Sequence, residues 1–141
     1  MALKVSRVDT WSATIDDRAG GAADRIEPLS RAGANFEFVF TRRTPERPGM
    51  GVMFVTPVKG AKVLQAAQAA GFSKAADMHT LRIEGADQRG VTATVMRSLA
   101  DARISFRALS ASALGRKFVA FLVLDSAEDA AKAAGLLRRL R

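Results

Sequence analysis

The chain has 141 residues, 48% of them hydrophobic, which is enough to bury one ordinary core or two very small ones. It contains no cysteine, so disulfide bonds, thiolate catalysis and zinc–sulfur sites are excluded. No apolar run approaches the roughly 18 residues that a membrane-spanning helix needs, and the N-terminus lacks the apolar segment of a signal peptide. We therefore predict a cytoplasmic protein that does not bind a membrane.

The net charge of +8 is the one global feature that could indicate nucleic-acid binding. The basic residues are nevertheless spread thinly, and they cluster only at residues 41–47 and 138–141. Glu46 and the nearby Pro45 and Pro48 interrupt the first cluster, a composition typical of a hairpin loop. The second cluster closes a predicted helix, where cations suit the negative end of the helix dipole. Nucleic-acid binding is therefore the least favoured function.

An internal repeat relates the two halves of the chain at a spacing of 70 residues. In this register the turn Asp17–Gly20 falls on Asp87–Gly90 without a gap. Identical residues also align at Lys4 and Lys74, Thr10 and Thr80, Ala23 and Ala93, Leu29 and Leu99, Ala32 and Ala102, and Phe36 and Phe106. A turn, a helix pattern and a phenylalanine that match in one frame indicate two copies of one structural unit.

The first copy begins with a strand in which apolar and polar residues alternate over residues 11–16, as expected when one face lies on a core. A turn at 16–21 leads into an amphipathic helix that carries Ile26 and Leu29, and Gly33 is the expected stop of this helix. The second copy repeats the strand, the turn and the helix in the same register.

A second strand follows the helix in each copy. In the first copy Phe36, Phe38 and Phe40 lie on one side of this strand. Exposed aromatic residues of this kind, together with Trp11, could stack nucleic-acid bases. Their parity instead predicts that they face a helix-covered core, and we interpret the stripe in this way.

The remainder of each copy supplies a third strand and a second helix. The third strand is continuously apolar at 51–55 and at 118–124, which indicates a central position in the sheet. Helices are predicted over about 58–70 and about 127–140, and Ser126 is the expected N-cap of the latter.

These elements predict an α+β fold made of two ferredoxin-like βαββαβ units in tandem, with helices on one face of each antiparallel sheet. The fourth strand of the first unit is expected at 72–78, whereas the second half ends before a fourth strand can form. In the repeat register residues 3–8 align with residues 73–78, so we predict that the N-terminal strand completes the second unit. The predicted domains are 1–71 and 72–141, with their fourth strands exchanged between the halves.

The turns and the elements around them resemble the ACT domain family, and the pair resembles its tandem-ACT proteins. The resemblance is carried by Ile-Asp-Asp-Arg-Ala-Gly-Gly-Ala-Ala at 15–23, Ala-Gly-Ala-Asn-Phe at 32–36, Ile-Glu-Gly-Ala-Asp-Gln-Arg-Gly-Val at 83–91 and Leu-Ala-Asp-Ala-Arg-Ile-Ser-Phe at 99–106. The usual turn of the family reads Asp-Arg-Pro-Gly, and its second strand begins like Ile-Asn-Ile. This chain has Ala19 and Arg89 in place of the proline, and Ser105 in place of the second asparagine.

The resemblance implies that the two sheets join edge to edge and that a small ligand, commonly an amino acid, binds at the seam between two ACT units. The turn before each first helix offers free N–H groups and the positive end of a helix dipole to a carboxylate, and glycine allows close approach. The candidate ligand-binding residues are Asp17, Arg18, Ala19, Gly20, Gly21, Asn35, Phe36, Gln88, Arg89, Gly90 and Ser105. We expect the first turn to carry the binding.

No catalytic residue, cofactor or metal site is predicted. His79 is the only histidine and has no predicted partner, and the adjacent Asp16 and Asp17 point to opposite faces of a strand. The sequence therefore predicts a regulatory protein that binds a small molecule and acts as a homodimer or on a partner enzyme. The alternative is a structural module that uses its open sheet face for oligomerisation or for docking to an enzyme.

Overall fold

A computed structural model describes residues 2–140, which form two compact units. The first unit comprises residues 9–75, and the second unit combines residues 2–8 with residues 76–140. In chain order the elements are β1 Lys4–Val8, β2 Trp11–Asp16, α1 Gly21–Arg31, β3 Phe38–Arg43, β4 Met50–Thr56, α2 Ala61–Ala69, β5 Ser73–Lys74, β6 His79–Ala86, α3 Val91–Asp101, β7 Ala108–Leu114, β8 Lys117–Leu124 and α4 Ala127–Arg138. Among residues 2–140, none of the helices has the length and the apolar composition of a membrane span.

Each unit contains a four-stranded antiparallel sheet and two helices. The strand order is β3-β4-β2-β5 in the first unit and β1-β6-β8-β7 in the second. The predicted α+β fold of two ferredoxin-like units in tandem is therefore confirmed. The two continuously apolar strands, β4 and β8, each lie between two neighbouring strands, as their sequences predicted.

The N-terminal strand β1 belongs to the second unit, as the repeat register predicted. It pairs antiparallel with β6 over all five of its residues. Leu3 and Val5 are buried in the core of the second unit. The Arg138 guanidinium of α4 donates hydrogen bonds of 2.8 and 3.2 Å to the Val5 carbonyl. The N-terminal strand and the C-terminal helix α4 therefore contribute to the same core.

The fourth strand of the first unit is shorter than predicted. Only Ser73 and Lys74 pair with β2, and the chain turns at residues 76–77 before it enters β6. Asp77 in this turn accepts a 3.0 Å hydrogen bond from the Arg107 guanidinium, which lowers the pKa of Asp77. The strand cannot continue to residue 78 because this segment has to leave one sheet and enter the other.

The core of the first unit lies between its sheet and its helices, and its buried residues are Ala13, Ile15, Leu29, Met53, Val55, Ala67 and Phe72. Phe36 packs against this core as predicted, but the prediction is wrong for Phe40, which is 45% exposed, and for Phe38, which shares the face of Phe40 in β3. Because β3 begins only at Phe38, strand parity does not extend from Phe36 to Phe40. The Phe40 ring instead stacks on Phe54, with centroids 6.4 Å apart, on the sheet face opposite the helices.

The core of the second unit is larger and almost entirely aliphatic. Its fully buried residues include Leu81, Ile83, Leu99, Leu122, Leu124 and Leu137. The predicted N-cap of α4 is also confirmed, since the Asp129 amide donates a 3.0 Å hydrogen bond to the Ser126 hydroxyl. This cap contrasts with the glycine residues that precede the first helix of each unit.

Candidate ligand site at the strand-to-helix turns

The two strand-to-helix turns follow the same backbone path. Gly20 and Gly90 adopt left-handed conformations, with φ of 87° and 81°, at the N-caps of α1 and α3. The amide that follows each glycine donates to the carbonyl three residues earlier, at 3.0 Å in the first turn and 3.1 Å in the second. The left-handed glycine and the hydrogen bond after it are therefore common to both turns, whereas the side chains beside them differ.

Neither glycine supplies a side-chain hydrogen bond to the start of its helix. The first N–H groups of a helix lack partners within the helix, and the helix dipole is positive at this end. An uncapped helix start of this kind suits a carboxylate or another small anion.

Ion pairs formed by the chain itself occupy the first turn. Arg18 donates a 2.7 Å hydrogen bond to Asp24 in α1, a bond that raises the pKa of the Arg18 guanidinium. Arg43, the last residue of β3, donates a 2.8 Å hydrogen bond across to Asp17. The space between the turn and β3 is therefore crossed by protein side chains.

The corresponding space beside the second turn is open. In the 70-residue register Arg43 corresponds to Ala113 in β7, and Arg18 corresponds to Gln88. The second turn therefore lacks both arginines that form ion pairs in the first. A groove of about 240 Å³ is present there, lined by Asp87, Gln88, Gly90, Val91, Thr92, Ala93, Ala111, Ser112, Ala113 and Phe118.

The structure brings only some of the predicted ligand-binding residues together. Gln88 and Gly90 line the groove of the second turn, whereas Arg89 is exposed and does not line it. Asn35 follows the end of α1 and Ser105 follows the end of α3, whereas the turns precede the two helices. Because each helix has 11 residues, a helix length of about 16 Å separates each of these residues from its turn. Within each unit these two residues do not share a site with the turn.

The remaining predicted residues of the first copy serve the fold. The Ala19 carbonyl accepts a 3.2 Å hydrogen bond from Arg18, and Phe36 packs against the core. Gly21 is buried, and a Cβ added there would overlap the Asp16 carbonyl oxygen. The absence of a side chain at Gly21 therefore permits the close contact of α1 with β2, and not the approach of a ligand.

Sequence reasoning missed the polar residues Asp87, Thr92 and Ser112 that line the second groove. The signal that could have found this groove is the replacement of Arg43 by Ala113 in the repeat register. In the first copy the Arg43 side chain reaches from β3 to the turn, whereas Ala113 has only a methyl group at the equivalent position. This difference indicates that the second copy has open space there.

Replacing Gly21 by alanine is expected to destabilise the first unit by about 1–3 kcal/mol, because the new methyl group overpacks against the main chain of β2. Urea denaturation followed by the fluorescence of Trp11, the only tryptophan, measures this change. The control is Ala23→Ser at an exposed position of the same helix, expected to stay within about 0.5 kcal/mol of the parent. Equal stabilities for Gly21→Ala and the parent would show that the contact is not tight.

Solved structures with the same fold include the regulatory subunit of an aspartate kinase. Protein BT0572 from Bacteroides thetaiotaomicron superposes with a TM-score of 0.75 at 12% identity, and the match covers 96% of this chain and 99% of that one. The ligand-free regulatory subunit of aspartate kinase from Thermus thermophilus has a TM-score of 0.61 at 15% identity, and the match covers 96% of this chain and 95% of that one. Aspartokinase III of E. coli, in complex with aspartate and ADP, has a TM-score of 0.59 at 17% identity, and the match covers 96% of this chain and 32% of that one.

No protein-family model matches the sequence, and no curated protein matches it either. At identities of 12–17% the structural similarity establishes the fold. The chain has the tandem ACT-type fold of aspartate kinase regulatory domains, which confirms the resemblance drawn from the two turns.

Proposed function

We propose that this chain is a regulatory protein that binds a small metabolite, most specifically an amino acid, in the groove at the second turn. The observation that carries the proposal is the 240 Å³ groove beside the uncapped N-terminus of α3. The fold adds support, because it is shared with the regulatory subunit of an aspartate kinase. In the E. coli aspartokinase III structure with this fold, aspartate is a ligand of the protein.

The groove offers complementary groups for each part of an amino acid. The first N–H groups of α3 and its positive dipole end suit the carboxylate. Asp87 and Gln88 both line the groove, and a carboxylate and a side-chain carbonyl suit the ammonium group. Ala111, Ala113 and Phe118 form an apolar side. The volume lies just below the ~300–1,000 Å³ typical of drug-sized ligands, so it fits an amino acid better than a nucleotide.

Binding in this groove would restrain the turn, α3 and β7 together, because all three contribute to its lining. A ligand that stabilises one arrangement of these elements shifts the equilibrium of any surface they form. The regulatory output in this proposal is a change in self-assembly or in the activity of a partner enzyme, with no catalysis by the chain itself. The expectation that the ligand lies at a seam between ACT units stays a prediction.

A thermal-shift screen of the full chain against the common amino acids tests the proposal. An amino acid present at about 100 times its Kd is expected to add about 2.7 kcal/mol to the free energy of unfolding, which raises the melting temperature. One amino acid or a small group of related ones should give this shift. Unchanged melting temperatures with all of them at millimolar concentration would contradict the proposal.

A protein-interaction module is the second candidate function, and β7 is the observation that favours it. This edge strand reads Ala-Leu-Ser-Ala-Ser-Ala-Leu, without a charge or a proline, and Leu114 at its end is 81% exposed. Natural edge strands commonly carry charges or prolines that prevent pairing with another chain. Two results together would support this second function. The chain would bind none of the amino acids, and it would form a dimer that the Ser110→Lys variant does not form.

A further inference from the structure

The hairpin between β3 and β4 differs in length from its counterpart in the second unit. Six residues, 44–49, join β3 to β4, whereas two residues, 115–116, join β7 to β8. The longer loop turns back on itself, because the Arg47 amide donates to the Thr44 carbonyl at 2.9 Å and the Met50 amide donates to the Arg47 carbonyl at 3.1 Å. The loop therefore borders the end of the first sheet at which β3 and β4 are joined.

A groove of about 280 Å³ lies between this loop and the sheet. Strand register places Thr14, Val52 and Arg42 side by side across β2, β4 and β3. These residues lie on the face opposite the helices, because the neighbouring Met53 and Val55 are buried in the core of the first unit. Thr44, Glu46, Arg47, Met50, Gly51 and Phe54 complete the lining.

Arg42 and Arg47 give this groove two guanidinium groups. Over residues 2–140 neither forms a salt bridge, and the Arg42 side chain donates only a 3.1 Å hydrogen bond to the Arg43 carbonyl. The neighbouring Arg43 is instead paired with Asp17. Glu46 is the only acidic residue among the lining residues, so the groove carries a net positive charge.

The apolar floor of the groove continues into an exposed aromatic pair. Met50, Val52 and Phe54 are half-buried on this face, and Phe54 stacks on the 45% exposed Phe40. A flat apolar group laid on this surface would cover ring area that is now in contact with water.

We propose that this groove binds a small carboxylate with a flat apolar body. The guanidinium groups of Arg42 and Arg47 hold the carboxylate by charge-assisted hydrogen bonds, and Phe54 with Phe40 contacts the apolar body. Thr14 and Thr44 also line the groove, and their hydroxyls are further hydrogen-bonding groups. This site lies on the hairpin of the first unit and is independent of the function proposed for the second turn.

Titration of the ¹⁵N-labelled full chain with 3-phenylpropionate, followed by amide chemical shifts, tests the proposal. We expect saturable shifts at residues 42–54 with a Kd near about 1 mM, and at least about tenfold weaker binding of 3-phenylpropanamide and of propionate. The double variant Arg42→Gln/Arg47→Gln should lose at least about tenfold in affinity, and Phe40→Ala should also weaken binding. Arg97→Gln, at an exposed arginine of α3, is the matched control that should bind like the parent.

Three results would overturn the assignment of this groove. One is the absence of saturable shifts at about 10 mM ligand, which is tenfold above the expected Kd. Another is equal affinity for the carboxylate and the neutral amide, since the arginines would then play no part. The third is a set of shifts confined to other residues, such as 88–93, which would place the carboxylate at the second turn and leave the hairpin groove without a ligand.

Discussion

Deletion of residues 2–8 is expected to unfold the second unit while the first unit stays folded. This segment supplies strand β1 and the side chains of Leu3 and Val5, which are 7% and 5% exposed in the core of the second unit. Burial of two such side chains contributes about 3–6 kcal/mol. That is a large share of the ~5–15 kcal/mol by which a whole domain is stable, and the β1–β6 hydrogen bonds are lost in addition.

Two spectroscopic signals separate the units in this experiment. Trp11 lies in β2, so its fluorescence reports on the first unit, whereas α3 and α4 contribute 11 and 12 residues of helix to the circular dichroism. We expect the deletion to remove about half of the helical signal and to preserve the unfolding transition of Trp11. A deletion variant with the helical signal and the melting curve of the parent would show that the strand exchange does not stabilise the protein.

Point substitutions in β1 and beside it refine this test. Leu3→Ala should lower the free energy of unfolding of the second unit by about 2 kcal/mol, at the lower end of the cost of such truncations because the site is near the terminus. Lys4→Ala changes an exposed neighbour and should stay within about 0.5 kcal/mol. If both variants lose a similar free energy of unfolding, the loss does not report on the burial of Leu3 and reflects instead a general sensitivity of this segment to substitution.

Ala113→Arg is expected to abolish amino-acid binding at the second turn without unfolding the unit. The substitution installs the residue that the first copy has at the equivalent position, where Arg43 pairs with Asp17 at 2.8 Å. The new guanidinium can reach Asp87, the counterpart of Asp17, and would fill the groove between β7 and the turn. Because exposed ion pairs contribute only about 0–1 kcal/mol, stability should change little.

Calorimetric titration of the parent and the variant with the amino acid that gives the largest thermal shift measures this effect. The affinity should fall by at least about 100-fold, or about 2.7 kcal/mol, because the ligand must displace a side chain from its site. Leu114→Arg adds the same charge one residue further along β7, at an 81% exposed position, and should bind like the parent. If Ala113→Arg and Leu114→Arg bind equally well, the ligand does not occupy this groove.

Much of the fold could be predicted from the sequence because it follows from local patterns and from the repeat. Alternating apolar positions identified β2, and the register of Lys4 with Lys74 predicted that the N-terminal strand completes the second unit. Strand ends were less predictable. β5 contains two residues and not the seven expected, because the departure of the chain into β6 depends on tertiary contacts such as that of Asp77 with Arg107.

The candidate site was only partly predictable because it depends on side chains that are distant in sequence. The pattern of glycine residues favoured the first turn, which stays a prediction, and it could not show that Arg43, 26 residues away from Asp17, pairs with it. Parity likewise placed Phe36, Phe38 and Phe40 on one side, but β3 begins only at Phe38, so Phe36 packs against the core while Phe40 lies on the face without helices. Parity shows which residues share a face only within one strand, and the residue at which the strand begins is not visible in the pattern.

Titration of the ¹⁵N-labelled full chain with the common amino acids, followed by amide chemical shifts, tests most directly whether an amino acid binds at the second turn. We predict saturable shifts for one amino acid or a few related ones, centred on residues 87–93 and 111–113. The same titration of Ala113→Arg should show none of them. Shifts centred on residues 17–21 with unchanged signals at 87–93, or no saturable shift for any amino acid, would contradict the account.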